Sequence, residues 1–355
     1  MIIRLFLLFS ILSTLSFANN TWENTLPKAD KFDWIQTTSG EWLKGEIKGM
    51  YDRELEFDSD EFGIQTIDWE DVKQLISRSL TSLNVEKRGI LVGQLYVHNS
   101  VIVLSTDEEN IELQKEQVIS LTNGANEENS YWSGKLSLGI TLSSGNTDRT
   151  EFTAMFDTKR QTAKSRFQVN YIGNYSKTNK IETENNQRLS SSIDIFQTRR
   201  FFWRPAFVEY YQDTFQNIEG KYTYGAGAGY DIYASKRTHW TIFAGPAYQS
   251  TTFDNVPDTD DKTVTTPAFI LTSDYDIELT KSIDFIIKYQ AYFVDKDSGS
   301  YVQHALASLE TELINDFDLD LSFIWDRVED PARNSDGSLP DKDDYKSILS
   351  VAYSF

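Results

Sequence analysis

Apolar and polar residues alternate one for one along much of this chain. The clearest stretch is "DFDLDLSFIW", where Phe317, Leu319, Leu321, Phe323 and Trp325 fall on one phase and Asp318, Asp320 and Ser322 on the other. Successive side chains of a strand point to opposite faces, so each such segment has one apolar and one polar face. "WSGKLSLGITL" repeats the pattern with Leu136, Leu138, Ile140 and Leu142. "RFQVNYIGNY" sets Phe167, Val169 and Tyr171 against Arg166, Gln168 and Asn170. "SIDFIIKYQAYFV" sets Phe285, Ile287 and Tyr289 against Asp284, Lys288 and Gln290. From Tyr131 onward about twelve segments of roughly 9 to 15 residues follow one another, the length that a tilted membrane-crossing strand needs.

Soluble β-sandwiches alternate as well, so the connections decide the solvent. Every second link reads as long and polar: "TNKIETENN", "DNVPDTDDK", "DKDSGS" and "EDPARNSDGSLPDKDD". The links between them are short: "QTAKS", "ASKRT", "LTKS" and "NDFD". Long loops on one rim and tight turns on the other are the habit of outer-membrane barrels. The first loop, "SGNTD", is the short exception. Aromatic residues at segment ends, Tyr131-Trp132, Phe201-Phe202-Trp203, Trp240 and Trp325, fit girdles at a bilayer interface. Pro246 and Pro267 fall inside segments and forfeit a ladder donor, which predicts bulges there.

Residues 19–125 follow a different plan. "SGEWLKGEIKGMYDRELEFDSDEFGIQTIDWEDVKQL" (39–75) is echoed by "RGILVGQLYVHNSVIVLSTDEENIELQKEQVISL" (88–121), with Gly45-Glu46-Ile47 matching Gly93-Gln94-Leu95. Val72 and Leu75 match Val118 and Leu121 in the same way. Each copy is too short to bury a core alone, so the two are expected to pack together as small β units resembling SH3-like or Sm-like barrels. The polar run "TNGANEENS" closes this region, with residues 126–130 as linker and the barrel occupying 131–355. At the N-terminus, Arg4 precedes the apolar run "LFLLFSILSTL" and Ser16-Phe17-Ala18 supplies small residues, so residues 1–18 read as a signal peptide.

Composition narrows the function classes. Cysteine is absent, which removes disulfides, thiolate metal sites, Cys nucleophiles and a lipid-modified cysteine terminus. Fifty-four acidic residues against 34 basic argue against nucleic acid as a partner. Acidic loops such as "DNVPDTDD" lack the spacing of a calcium loop and read as solvated, so no metal and no cofactor is expected. "GAGAG" (225–229) lies inside a strand between aromatics, which predicts a thin wall or bend, not a nucleotide loop. The three histidines are His98, His239 in a predicted short turn, and His304 on a polar strand face. Ser308 shares the face of His304, but no catalytic pattern surrounds it, and no catalytic residue is assigned.

The predicted inward face carries charges of both signs. Arg166, Arg188, Asp194, Lys221, Asp284, Lys288 and Glu310 are the pore-lining candidates, accompanied by Asp231, Glu312, Asp318, Asp320 and Lys346. Such charges can pair and plug a lumen or line a narrow pore. An eight-stranded barrel is filled by side chains and a sixteen-stranded one holds a channel, so twelve strands leave both open.

Residues 131–355 resemble the YdiY-like family of salt-induced outer-membrane proteins, a domain of unknown function. The resemblance rests on "LSLGITLSSGNTDRTEF" (136–152), "YTYGAGAGYDIYASKRTHWTIFAGPAY" (222–248) and the terminal "SVAYSF". It implies a barrel in the outer membrane of a Gram-negative envelope, with outer-membrane lipid and the barrel-assembly machinery as partners. Val351, Tyr353 and Phe355 match the terminal signal which that machinery reads in such barrels. The expectation is therefore an all-β chain: a periplasmic β region of two SH3/Sm-like repeats, then a transmembrane antiparallel β-barrel of about twelve strands. Its expected role is non-enzymatic, as a narrow channel for ions or small solutes in envelope or osmotic stress. The alternative is a closed structural barrel acting through its loops or through a periplasmic partner bound by residues 19–125.

Overall fold

A computed structural model describes residues 31–355, except 52, 125–130, 144–147, 236, 256–261, 281, 315, 332–337 and 340. The signal peptide, the linker and the "SGNTD" loop fall wholly or mainly outside the described residues. Strands account for nearly all the regular structure, in two bodies.

The first body contains β1 (Asp33–Thr37), β2 (Trp42–Tyr51), β3 (Glu54–Ser59), β4 (Gly63–Asp68) and β5 (Val72–Val85). It continues with β6 (Gly89–His98), β7 (Val101–Ser105), β8 (Asn110–Gln114) and β9 (Val118–Asn123). Three strands, a 3-10 turn and a fourth strand make each repeat; the turns are Trp69–Asp71 and Lys115–Gln117. β9 pairs with both β2 and β5, which rolls the sheet around one core. Ile47, Leu55 and Phe57 of the first repeat meet Leu95, Ile102 and Leu104 of the second inside it. The matched glycines have matched work: a Cβ on Gly45 would strike the carbonyl of Asp58, and one on Gly93 that of Ser105. Both let a neighbouring strand cross closely.

The 3-10 turns occupy equivalent places and touch each other. Trp69 donates its indole N–H to the Lys115 carbonyl (3.3 Å), while Lys115 Nζ lies 5.0 Å from the centre of the Trp69 ring. Lys115 Nζ also donates to the Val72 carbonyl at 2.6 Å. Burial among these groups pulls the Lys115 ammonium down to about 8, because removing water penalises its charged form.

The second body is a closed barrel of twelve strands. They are β10 (Trp132–Ser143), β11 (Arg149–Gln161), β12 (Ser165–Thr178), β13 (Ile181–Phe196), β14 (Phe201–Asp213) and β15 (Ile218–Ser235). The circuit is completed by β16 (Thr238–Phe253), β17 (Thr263–Thr280), β18 (Ile283–Phe293), β19 (Tyr301–Ile314), β20 (Phe317–Val328) and β21 (Asp343–Ser354). Leu138, Ile193, Val208, Leu271, Phe323 and Leu349 are exposed on its outer wall. That wall is too extensive an apolar surface for water to solvate cheaply.

Aromatic pairs mark both rims. Trp132–Phe167, Phe201–Trp203, Trp240–Tyr275 and Phe317–Tyr353 lie toward the short-turn rim. Tyr210–Tyr222, Tyr224–Tyr248, Phe269–Phe293 and Phe323–Tyr345 lie toward the other. Phe202 departs from the expected girdle: it points inward and is fully buried.

Three local expectations are corrected. "TNKIETENN" is not a long loop; β12 and β13 run through it and turn on Asn179 and Lys180, both with positive φ (52° and 68°). Two residues in that conformation match the twist of a tight hairpin. No register shift occurs at Pro246 or Pro267, because β16 and β17 pair continuously through both. Opposite Pro246 the β15–β16 ladder skips positions but resumes in the same register, and Pro267 lies beyond the reach of the β17–β18 ladder. "GAGAG" does not thin the wall: its glycines make room for inward phenylalanines. A Cβ on Gly229 would fall within the Phe202 ring, and those on Gly227 and Gly225 would come 2.8 Å from Phe243 and Phe207.

The barrel closes where β10 meets β21. Lys135 to Leu138 pair with Ser354 to Val351, and Gly134 and Phe355 exchange two backbone hydrogen bonds of 2.9 Å. The ladder stops there, four register pairs long, although both strands continue toward the long-loop rim.

The two bodies join at the short-turn rim. Arg199, between β13 and β14, donates to the carbonyls of Val118 and Lys115, each at 3.1 Å. Tyr51 donates to the Gln161 carbonyl at 3.2 Å, and the Ser120 hydroxyl donates to that of Ala163. His239 Nε2 lies 3.8 Å from Glu54 Oε2.

Candidate functional site: the barrel lumen

Register fixes which side chains share the lumen, since directly opposed residues lie on one face. Lys135 faces Asp157, Asp157 faces Asn170, and the series continues through Arg166 with Asp194 and Arg188 with Tyr211. All seven pore-lining candidates fall on this inward face.

Near the short-turn rim, Asp194 is completely buried. The β13–β14 register shifts beside it, at Ile193/Ile195 opposite Ala206 and Trp203, and the β14–β15 register is irregular between Arg204 and Phe207. Pro205 stands in that irregular stretch, where its missing N–H costs least. Asp194 accepts from Arg166 (2.9 and 3.1 Å) and from Arg204 (2.6 and 3.1 Å). The Arg204 guanidinium lies 4.4 Å from the Phe243 ring centre, and that of Arg166 5.3 Å from the Phe202 ring. The glycines of β15 thus seat the phenylalanines, and the phenylalanines carry the arginines.

Elsewhere on the wall, Lys288 approaches Asp157 at 3.6 Å. Lys135 gathers Glu310, Asp318 and Asp320. Asp284 faces Glu310 across the β18–β19 ladder. A cavity of about 450 Å³ lies within this half and extends up to Arg188, Glu209 and His304. Arg166, Arg204 and Lys288 share its lining with Asp157, Asp274, Phe207, Phe243 and Ile270.

Toward the long-loop rim the lumen is crossed. Arg188 on β13 pairs with Glu209 on β14 (3.1 Å) and, across the barrel, with Asp326 on β20 (3.0 Å). Glu209 also accepts from Gln290 of β18 (3.0 Å), and Asp326 partners His304 Nδ1 (2.8 Å). Lys346 on β21 reaches Glu184 (2.8 Å) and Glu151 (3.3 Å). Lys221 is buried, with its ammonium 4.7 Å from the Tyr211 ring centre. Burying a charge pair carries a desolvation cost that its attraction roughly offsets, so such bridges fix geometry more than they add stability.

Ser308 meets the Ser322 hydroxyl at 2.9 Å, while His304 is engaged by Asp326, so the serine and histidine are not assembled into a nucleophilic pair. Among the described residues no cluster of three or more His, Asp or Glu could hold a metal. Val351 and Tyr353 point outward, and Phe355 packs over Gly134, where a Cβ would lie 2.6 Å from its ring.

The sequence reading missed Arg204, Glu209, Asp326 and the inward phenylalanines. Strict alternation from Phe207 and Glu209 places Arg204 outside; the irregularity around Pro205 reverses the phase and brings it in. Pro205 was the available signal.

An apolar outer wall, two aromatic belts and a polar, ion-paired interior define a transmembrane β-barrel. Within that class, residues 136–355 match the family described as a protein of unknown function, DUF481, and the chain belongs to that family. No curated protein matches the chain. Among solved structures it is similar to the NanC porin, at 9% identity and TM-score 0.39, covering 63% of this chain and 100% of that one. It is similar to the translocator domain of the autotransporter NalP from Neisseria meningitidis, at 11% identity and TM-score 0.37, covering 65% and 90%. A third likeness is to the outer-membrane channel DcaP of Acinetobacter baumannii, at 13% identity and TM-score 0.29, covering 91% and 94%.

Proposed function

We propose that this protein is a non-enzymatic outer-membrane barrel that passes ions or small solutes through a narrow lumen, with residues 19–125 held in the periplasm beneath the short turns. The observation that carries this reading is the cavity of about 450 Å³, lined by charged and apolar side chains alike, inside a wall that is apolar outside. Its walls present fixed charges of both signs, which is how protein pores set their field. Seating of the N-terminal body on the short-turn rim supports the orientation, because short turns face the periplasm in such barrels. A role in envelope or osmotic stress belongs to the same proposal.

Full-length protein inserted into planar bilayers tests it: small, discrete conductance steps are expected. The bridge from Arg188 to Asp326 favours a second reading, a closed barrel acting through its loops or its N-terminal body. Silent bilayers at verified insertion select that reading.

A further inference from the structure

One face of the N-terminal body is polar where the barrel covers it and apolar where it projects past the barrel. Register puts Ser120 of β9 opposite Asn84 of β5, and Asn84 opposite Ile90 of β6; Thr122, Ser82 and Val92 form the next row. Leu80 stands diagonally from Val92. Opposed residues share a face, and the core residues Leu83, Val85 and Leu121 take the other one. Ser120 anchors the outer face, because its hydroxyl donates to the Ala163 carbonyl in the β11–β12 turn. Ser120, Thr122 and Asn84 are buried, whereas Ile90, Val92 and Leu80 are 38, 47 and 51% exposed. Single exposed apolar residues are ordinary, but three adjoining ones on a face already seated against a neighbour mark a contact.

Their position indicates what covers them. Strand order across this sheet runs β3–β2–β9–β5–β6. At the β2–β3 end, Tyr51 reaches Gln161 and Glu54 nears His239, beside barrel turns that the β13–β14 turn separates, so this end crosses the lumen mouth. β6 is at the other end, two strand spacings, roughly 10 Å, from the Ala163 contact. Above that contact, Trp132 and Phe167 pair edge to face in the aromatic belt of the outer wall. The barrel turns "QTAKS" (161–165), "QTRR" (197–200) and "SKRT" (235–238) carry Lys and Arg without Asp or Glu. Lys87 and Arg88, exposed in the β5–β6 turn, precede Ile90 in the chain, and Glu86 of that turn lies near Arg199. Cations beside an apolar patch suit anionic phospholipid heads and their acyl chains.

We propose that Ile90, Val92 and Leu80 insert into the short-turn leaflet of the bilayer beside the barrel, holding the N-terminal body against anionic phospholipid. The three side chains enter the acyl boundary, while Lys87, Arg88 and the exposed Lys164 meet phosphate heads. This rests on the barrel spanning a bilayer and not on whether its lumen conducts.

Because the chain has no cysteine, a single introduced one takes a spin label selectively. Full-length Val92→Cys carrying a nitroxide is placed in nanodiscs of phosphatidylethanolamine and phosphatidylglycerol. Two references accompany it: Leu349→Cys on the outer wall and Glu108→Cys in the exposed β7–β8 turn. Collision with oxygen, relative to collision with a water-soluble nickel complex, should be several-fold higher at Val92→Cys than at Glu108→Cys. A ratio equal to that of Glu108→Cys, with Leu349→Cys in lipid, overturns the inference and leaves the barrel reading intact. Spin–spin broadening between copies would make the patch a dimer contact and overturns it as well. Adding Lys87→Glu with Arg88→Glu should move the label toward water in phosphatidylglycerol discs and not in phosphatidylcholine discs; equal behaviour in both overturns the choice of an anionic lipid. Since the label is itself apolar, Leu80→Asp with Val92→Asp gives a second reading without it. Trypsin should release the N-terminal body of this variant from the discs several-fold faster than that of the parent, and an unchanged rate overturns the inference.

Discussion

At the scale of single residues, glycine positions decide how the lumen is furnished. Gly229 lies directly beneath the Phe202 ring, so Gly229→Ala forces the ring away and with it the guanidinium of Arg166. Overpacking of this kind costs about 1–3 kcal/mol, and denaturant unfolding in detergent should show it. Pairing the substitution with Phe202→Leu should recover part of the loss, whereas a purely backbone effect would not be rescued. Lys115 offers a different measurement. Its folded value is about 8 against 10.5 for an ordinary lysine. Between those values the unfolded chain binds the proton and the folded chain does not, so stability rises with pH from about 8 to 10.5. Full-length protein should show its N-terminal transition moving upward over that window, and Lys115→Met should flatten the trend. Alternation in the sequence identified which residues face inward, and it did so for Arg166, Arg188 and Lys288. It carried no information on which charges meet, because Asp326 lies 138 positions from Arg188 and only barrel closure brings them together.

Among the elements, strands were legible and their irregularities were not. Period-two patterning survives through β10, β12, β18 and β20 because each has lipid-facing and lumen-facing sides with nothing between them. It fails at Arg204, where the irregular stretch of β14 around Pro205 changes phase, and at Asn179-Lys180, whose polar flanks belong to the strands. The repeats in 19–125 were visible through their glycines. Their seat on the barrel was invisible, because Arg199, Tyr51 and Ser120 all donate to backbone carbonyls, which leave no mark in sequence. Arg199→Ala removes two of those bonds and should raise proteolysis between the two bodies, with barrel heat-modifiability unchanged. At the other end of the chain, Phe355 contributes a ring over Gly134 and a backbone pair. Burying that ring supplies about 1.5–3 kcal/mol at most, modest beside closure of the whole barrel. If Phe355 is also an assembly signal, its deletion should impair insertion in pulse-labelled cells far more than refolding into micelles. Equal impairment in both would reduce it to an interface aromatic.

For the whole molecule, the decisive measurement concerns the crossing at Arg188. Removing one partner of a buried pair leaves the other charge uncompensated, so the cleaner variant is the combination Arg188→Met with Glu209→Gln. If the lumen conducts, this variant should give conductance steps several-fold larger than the parent, with altered ion selectivity. Unchanged steps would place the constriction elsewhere. Cell fractionation supplies the complementary check: the protein should accompany the outer membrane and migrate differently before and after boiling.

The joint between β10 and β21 gives the cylinder a direction of weakness. Every other pair of neighbouring staves shares ten or more rungs, and this pair shares four, all at one end. Outward pull on the wall therefore concentrates on the opposite end of that joint. The backbone amides of residues 139–143 and 346–350 should exchange with deuterium ahead of the rest of the wall. A bilayer under stretch should widen the barrel there first, like a zip opened from its free end.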